Sequence, residues 1–125
     1  MHRNTYLNGP AVLSANYAMK GEPLIRFAGQ LSGVEGYMES TASGLVAAIG
    51  LARALRGQPE PDFTGRTIVG ALAKHVCTPN ANFQPMNANF GIMRLDAPVR
   101  RNERKEAYAP QSLNLIREMV ANHEL

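Results

Sequence analysis

Glycine and proline interrupt this chain so often that only one stretch is long enough for an extended helix. Asn8-Gly9-Pro10 and Lys20-Gly21-Glu22-Pro23 are turn signals, Gly57 is followed by Pro59 and Pro61, and Pro79 and Pro85 lie in an asparagine-rich segment. Proline lacks the N–H that a helix interior needs, and glycine favours turns and caps. Residues 1–21 therefore read as loops and short extended pieces. The stretch that suits one is 37–56, free of proline, where Leu45, Ala48, Ile49, Ala52 and Leu55 recur at helical spacing. Arg53 and Arg56 suit its C-terminal dipole and Gly57 its C-cap. Ser40, Ala42, Ser43, Gly44, Ala47 and Gly50 leave this helix little side-chain bulk, so another backbone or a flat ligand can come very close.

The remaining segments follow by the same logic. Residues 24–29 form a short, mostly apolar run between turn signals, the pattern of a buried strand. Residues 58–65, with Pro59, Pro61 and Asp62, make a linker. Thr67 caps a second helix whose apolar face is Ile68, Val69, Leu72, Ala73 and Val76. Residues 78–90 are irregular, and 91–95 suggest a short strand. Residues 100–106 are a charge run of mixed sign, expected as a solvated helix start or loop that Pro110 ends. A last helix, 111–122, places Leu113, Ile116, Met119 and Val120 on one face. The expected fold class is α/β, with short strands and about three helices, helix-rich as an isolated chain.

Composition narrows the function classes. Hydrophobic residues make up 45% of the chain, enough for a core and against disorder. One cysteine rules out a disulfide framework, and with three scattered histidines it argues against a metal site. No apolar run approaches the ~20 residues needed to span a bilayer, so the expectation is a soluble, cytoplasmic protein with no membrane contact. A net charge of +3 permits an anionic partner without demanding one. The aromatic content of 6% is low for a domain that must stabilise itself.

The candidate chemistry centres on the glycine turn. A strand, then Gly29, Gly33 and Gly36, then a small-residue helix would leave the backbone N–H groups of Val34, Glu35 and Gly36 free to donate beside a helix N-terminus. Gly33 and Gly36 carry no Cβ to block an approaching ligand. Spacing alone favours a tight packing turn, and the glycine pattern is not the dinucleotide fingerprint. Glu35 and Glu39, four apart, would share a helix face. Acid–base work is one use for them, and favourable charge at the helix start is the simpler one. His75 reads as a surface or packing residue and Cys77 as a buried inert thiol. Asn80, Asn82, Gln84, Asn87 and Asn89, interleaved with Phe83 and Phe90, either pin their own loop through Asx turns or contact a ligand.

Residues 27–45, FAGQLSGVEGYMESTASGL, closely resemble a segment near the C-terminus of the folate- and FAD-dependent tRNA uracil-5-methyltransferases, the TrmFO or Gid family. Residues 1–6, MHRNTY, resemble the motif before it, and residues 82–91, NFQPMNANFG, the one after. The family's FAD-binding G-x-G-x-x-G and its upstream cysteines are absent here. The resemblance therefore implies a C-terminal fragment of a Rossmann-like FAD-binding domain. Residues 1–57 would be the closing segment of that domain, and residues 58–125 a helical and loop extension packing on it.

The same resemblance implies FAD as cofactor, with methylenetetrahydrofolate and NAD(P)H as co-substrates. The methyl group goes to C5 of a T-loop uridine in tRNA. Gln30, Gly33, Val34, Glu35, Gly36 and Tyr37 would meet the flavin. His2, Arg3, Asn4, Asn87, Asn89 and Phe90 would form the rim toward folate, and no catalytic residue is assigned in this fragment. The implied partners are tRNA and the N-terminal FAD-binding half of the same enzyme, with a homo-oligomer as a further possibility for the isolated chain, which is expected to be inactive. Alternatives are the related flavoprotein that modifies the tRNA wobble uridine, which carries two threonines where this chain has Val34-Glu35, and a non-catalytic interaction domain.

Overall fold

The computed structural model describes residues 5–96 and 99–125. A single helical turn, α1 (Gly9–Val12), opens the chain, with Pro10 in its first turn. The antiparallel pair β1 (Ala18–Met19) and β2 (Glu22–Arg26) follows, with an irregularity in register between Ala18 and Met19. A 3-10 turn over Gly29–Ser32 leads into α2 (Tyr37–Leu55), then α3 (Ile68–Cys77), a 3-10 turn over Phe90–Ile92, and α4 (Arg104–Ala121).

The helix boundaries obey their local signals. Residue Gly57 adopts φ +67 just beyond α2, the left-handed conformation that ends helices. Thr67 Oγ1 accepts the Gly70 N–H at 3.0 Å, capping α3, and donates to the Phe63 carbonyl at 2.6 Å.

The core gathers Leu13, Tyr17, Val34, Val46 and Ala47 from the first half of the chain with Phe63, Leu72, Ala73, Val76 and Met119 from the second. Each fully buried large aliphatic side chain contributes about 1.5–3 kcal/mol. Aromatic mass is scarce inside, and Tyr17 and Phe63 supply it. Small residues compensate by close approach: Gly9 backs directly onto the Val76 carbonyl, where a Cβ would collide.

A polar staple ties the sheet to the linker. The side chain of Arg26 on β2 is only 4% exposed. Its Nη1 meets Glu60 Oε1 at 2.5 Å and the Asn16 carbonyl at 3.4 Å, while Nε donates to the Pro23 carbonyl at 2.7 Å. The bond from Arg26 is the main reason that the Glu60 carboxyl is held below its ordinary pKa. This bridge fixes the 58–65 linker against the face of α2 at Gly50, which has no room for a Cβ.

Three local expectations are corrected. The strand is Glu22–Arg26 rather than 24–29, and it is not buried: Leu24 is 55% and Ile25 47% exposed, because among the described residues β2 pairs only with the two-residue β1. Residues 91–95 form no strand. Asn89 Oδ1 accepts the Gly91 N–H at 2.8 Å, and Met93 N–H bonds the Phe90 carbonyl at 3.1 Å, which closes a 3-10 turn. Pro110 does not end the charged run but lies inside α4. The helix gives up one backbone bond there, and contacts on both sides hold it. Tyr108 stacks on Phe90 with centroids 4.8 Å apart, and Ser112 Oγ accepts the Ile68 N–H at 3.0 Å.

Candidate functional site at the glycine turn

The turn between β2 and α2 is built by glycine conformations that other residues avoid. Gly33 has φ +97, and Gly36, the N-cap of α2, has φ +101 and ψ 151. Among the described residues no side chain caps α2, so the first-turn N–H groups keep no such partner there.

The asparagine-rich loop clamps this turn from the outside. Val34 and Met86 form an isolated parallel bridge, with Met86 N–H on the Gly33 carbonyl at 3.3 Å and Glu35 N–H on the Met86 carbonyl at 2.9 Å. Asn87 Nδ2 donates to the Glu35 carbonyl at 3.0 Å, and Glu39 Oε1 accepts the Ala88 N–H at 3.2 Å. From within, Ser43 Oγ accepts the Gly29 N–H at 2.7 Å.

The turn also borders a hollow of about 390 Å3 lined by Gln30, Val34, Glu35, Gly36, Tyr37 and Ser40. The structure thus brings together Gln30, Val34, Glu35, Gly36 and Tyr37. Ser40 joins them without having been expected; its only sequence signal was its small size. Gly33 lies apart from the hollow: a Cβ there would sit 2.5 Å from Phe83 Cζ.

Several details differ from the sequence reading. The Glu35 N–H is not free, being bonded to Met86, whereas the N–H groups of Val34 and Gly36 have no partner among the described residues. Glu35 precedes α2, so it shares no helix face with Glu39, whose carboxylate anchors the loop instead. The need for glycine at 36 is internal as well. A Cβ there would run into the Glu39 carboxylate and lie 2.9 Å from Asn87 Nδ2.

Of the expected rim, Asn87 touches the turn directly. Asn89 is engaged with Gly91 and with the Asn87 carbonyl at 3.5 Å, and Phe90 stacks on Tyr108. His2, Arg3 and Asn4 lie outside the described residues. Phe83 anchors the loop between Tyr6, at a centroid distance of 6.2 Å, and His75, at 6.1 Å. Asn80 Oδ1 accepts the Asn82 N–H at 3.0 Å, the expected Asx turn.

Burial pushes the Cys77 thiol up, opposed by Lys74, so the sulfur is a neutral thiol at physiological pH and a poor nucleophile. A larger open groove of about 830 Å3 carries Arg66, Lys74, His75 and Arg94, but Asp96 pairs with Arg66 at 2.8 Å and Asp62 with Lys74 at 3.6 Å. These carboxylates offset much of its positive charge. Among the described residues no cluster of His, Cys, Asp and Glu could hold a metal ion, and no helix is long and apolar enough to cross a membrane.

Residues 1–59 match the family model described as "Glucose inhibited division protein A". Three relatives carry the name methylenetetrahydrofolate–tRNA-(uracil-5-)-methyltransferase TrmFO. That of Natranaerobius thermophilus is 45% identical over 122 residues, covering 96% of this chain and 28% of the relative. That of Bacillus licheniformis is 47% identical over 120 residues, covering 94% and 28%. That of Staphylococcus aureus is 46% identical over 121 residues, again covering 94% and 28%. The chain thus spans just over a quarter of the length of these relatives. The identity extends through the glycine turn, the loop that clamps it and the helices that carry both, and on these grounds the chain belongs to the TrmFO/GidA family.

Proposed function

We propose that this chain is the C-terminal part of a flavoprotein that methylates C5 of a T-loop uridine in tRNA, with methylenetetrahydrofolate as one-carbon donor and NAD(P)H as reductant. The observation that carries this reading is the hollow at the start of α2, lined by Gln30, Val34, Glu35, Gly36, Tyr37 and Ser40. It lies on the segment shared with relatives named for that activity. FAD fits the hollow's chemistry. Among the described residues the Gly36 N–H is unpaired and no side chain caps α2, and an uncapped helix start favours electron-rich groups.

When bound, FAD supplies the carrier for the one-carbon unit and its electrons. Gly36 would hold an acceptor atom of the ring through its backbone N–H, and Gln30 would offer a side-chain amide. Tyr37, 95% exposed, would cover the hollow and exclude water. Asn89 and Phe90, with His2, Arg3 and Asn4, belong to the folate side in this reading.

The apolar residues Leu24, Ile25, Met38 and Leu45 are between 47% and 80% exposed. Such side chains suit burial against the rest of the full-length enzyme, which supplies the phosphate-binding half of the FAD site. By itself the 125-residue chain therefore retains flavin weakly and is inactive, and the isolated chain is prone to self-association. The whole enzyme is placed in the cytoplasm, where its tRNA substrate is found.

The match to the broader GidA model keeps the wobble-uridine flavoprotein as the second reading. Both readings are tested by purifying the full-length protein and incubating it with unmodified tRNA, methylenetetrahydrofolate and NADPH. Bound FAD and formation of 5-methyluridine in the T loop are expected. A colourless protein, or modification confined to the wobble position, would overturn the proposal.

A further inference from the structure

The bond between Asn87 and Glu35 does more than hold a loop. In a peptide unit the C=O and N–H point in opposite directions, so whatever fixes the Glu35 carbonyl also aims the Gly36 N–H. Asn87 Nδ2 holds that carbonyl at 3.0 Å on the loop side. The Gly36 N–H is without a partner among the described residues, and Gly36 lines the hollow.

A peptide followed by glycine is easily turned over, because glycine takes either sign of φ at little cost. In the reversed orientation the Glu35 carbonyl would face the hollow, where it would repel any electron-rich ligand atom. We propose that Asn87 is a positioning residue for the cofactor: it selects the peptide orientation in which the Gly36 N–H serves as a hydrogen-bond donor to the flavin ring. The inference rests on the FAD reading above.

The surrounding contacts keep Asn87 able to do this. Glu39 Oε1 bonds the Ala88 N–H at 3.2 Å and fixes the adjoining backbone. The Met86 carbonyl takes the Glu35 N–H at 2.9 Å, so the peptide on the other side of Glu35 is locked separately. The 35–36 peptide has Asn87 as its side-chain constraint, and Asn87 lies 52 positions from Glu35 in the chain.

The test uses the full-length holoenzyme. Asn87→Asp keeps the shape of the side chain but presents oxygen to the Glu35 carbonyl, and Asn87→Ser is too short to reach it. Both are compared with wild type and with Asn80→Asp, which adds the same charge at a distant Asx turn. FAD dissociation is followed by flavin fluorescence, with the visible absorption spectrum and the flavin midpoint potential measured on the same samples. The expected result is FAD binding weakened about tenfold, the value of one net hydrogen bond, a shifted absorption band and a lower midpoint potential in both Asn87 variants. Asn80→Asp behaves as wild type.

Should Asn87→Asp misfold, Asn87→Ser carries the same comparison. Unchanged affinity, spectrum and potential in a folded Asn87 variant would overturn the positioning role. Weaker binding with an unaltered spectrum and potential would also overturn it, since a merely loosened loop gives that pattern. A wild-type enzyme that holds no flavin at all would instead remove the FAD reading itself, so the two failures are distinct.

Discussion

Replacing Gly36 with alanine would separate two reasons for a glycine at this turn, backbone conformation and lack of space. At φ +101 and ψ 151 the backbone lies in a region that is essentially glycine-only, and forcing another residue there costs on the order of 1–3 kcal/mol. The added methyl group would also displace the Glu39 carboxylate and crowd Asn87 Nδ2, 2.9 Å from the new Cβ. Both groups would leave their loop partners, Ala88 N–H and the Glu35 carbonyl, and each such bond is worth about 0.5–1.5 kcal/mol net.

The sum is a loss of about 2–6 kcal/mol. With a urea m-value of about 2 kcal/mol/M, the middle of the usual range, it should lower the unfolding midpoint of the 125-residue chain by roughly 1–3 M. Gly57→Ala is the control. Gly57 also has positive φ, +67, but a Cβ there meets nothing within 4 Å, so only the conformational cost of ~1–2 kcal/mol applies. Equal midpoint shifts for the two variants would refute the argument that the loop clamp is what excludes a side chain at 36.

The Arg26 staple gives a pH-dependent prediction. Because the Glu60 pKa is lowered in the folded state, its contribution is present above the unfolded value of 4.5 and disappears as pH falls through the folded value. Arg26→Met should therefore destabilise at neutral pH by about 1.5–3 kcal/mol, the worth of a charge-assisted bond, and should flatten the acid side of the stability profile when melts are compared from pH 7 downward. A wild-type slope retained in the variant would contradict this. Thr67→Ala removes the cap of α3 and should cost about 1–2 kcal/mol by chemical denaturation. Gly33→Ala should destabilise through Phe83, 2.5 Å from the added Cβ. A double-mutant cycle with Phe83→Leu should recover part of that loss, and strict additivity would show that the two do not meet.

The resemblance found in three short motifs reaches the same family as the identity over nearly the whole chain, and two of those motifs, residues 27–45 and 82–91, hold the glycine turn and the loop that clamps it. Local signals placed the helices well. The small-residue run over 37–56, Thr67 before α3 and Gly57 after α2 each act within a turn or two of backbone, so neighbouring residues suffice to define them. Pro110 was misread for the converse reason: its local effect is to break a helix, but Tyr108 on Phe90 and Ser112 on Ile68 hold α4 together across it.

The site divides in the same way. The amino-acid order alone marks Gly33, Gly36 and the chain between them as a turn able to expose backbone donors. Which donors stay free, which way the 35–36 peptide faces, and that Phe83 rather than a ligand fills the space over Gly33 were set by contacts between residues about fifty positions apart, such as Glu35 with Asn87. Such pairings leave no periodicity or capping pattern in either segment, because they are made only when the folded core brings the two loops to the same place.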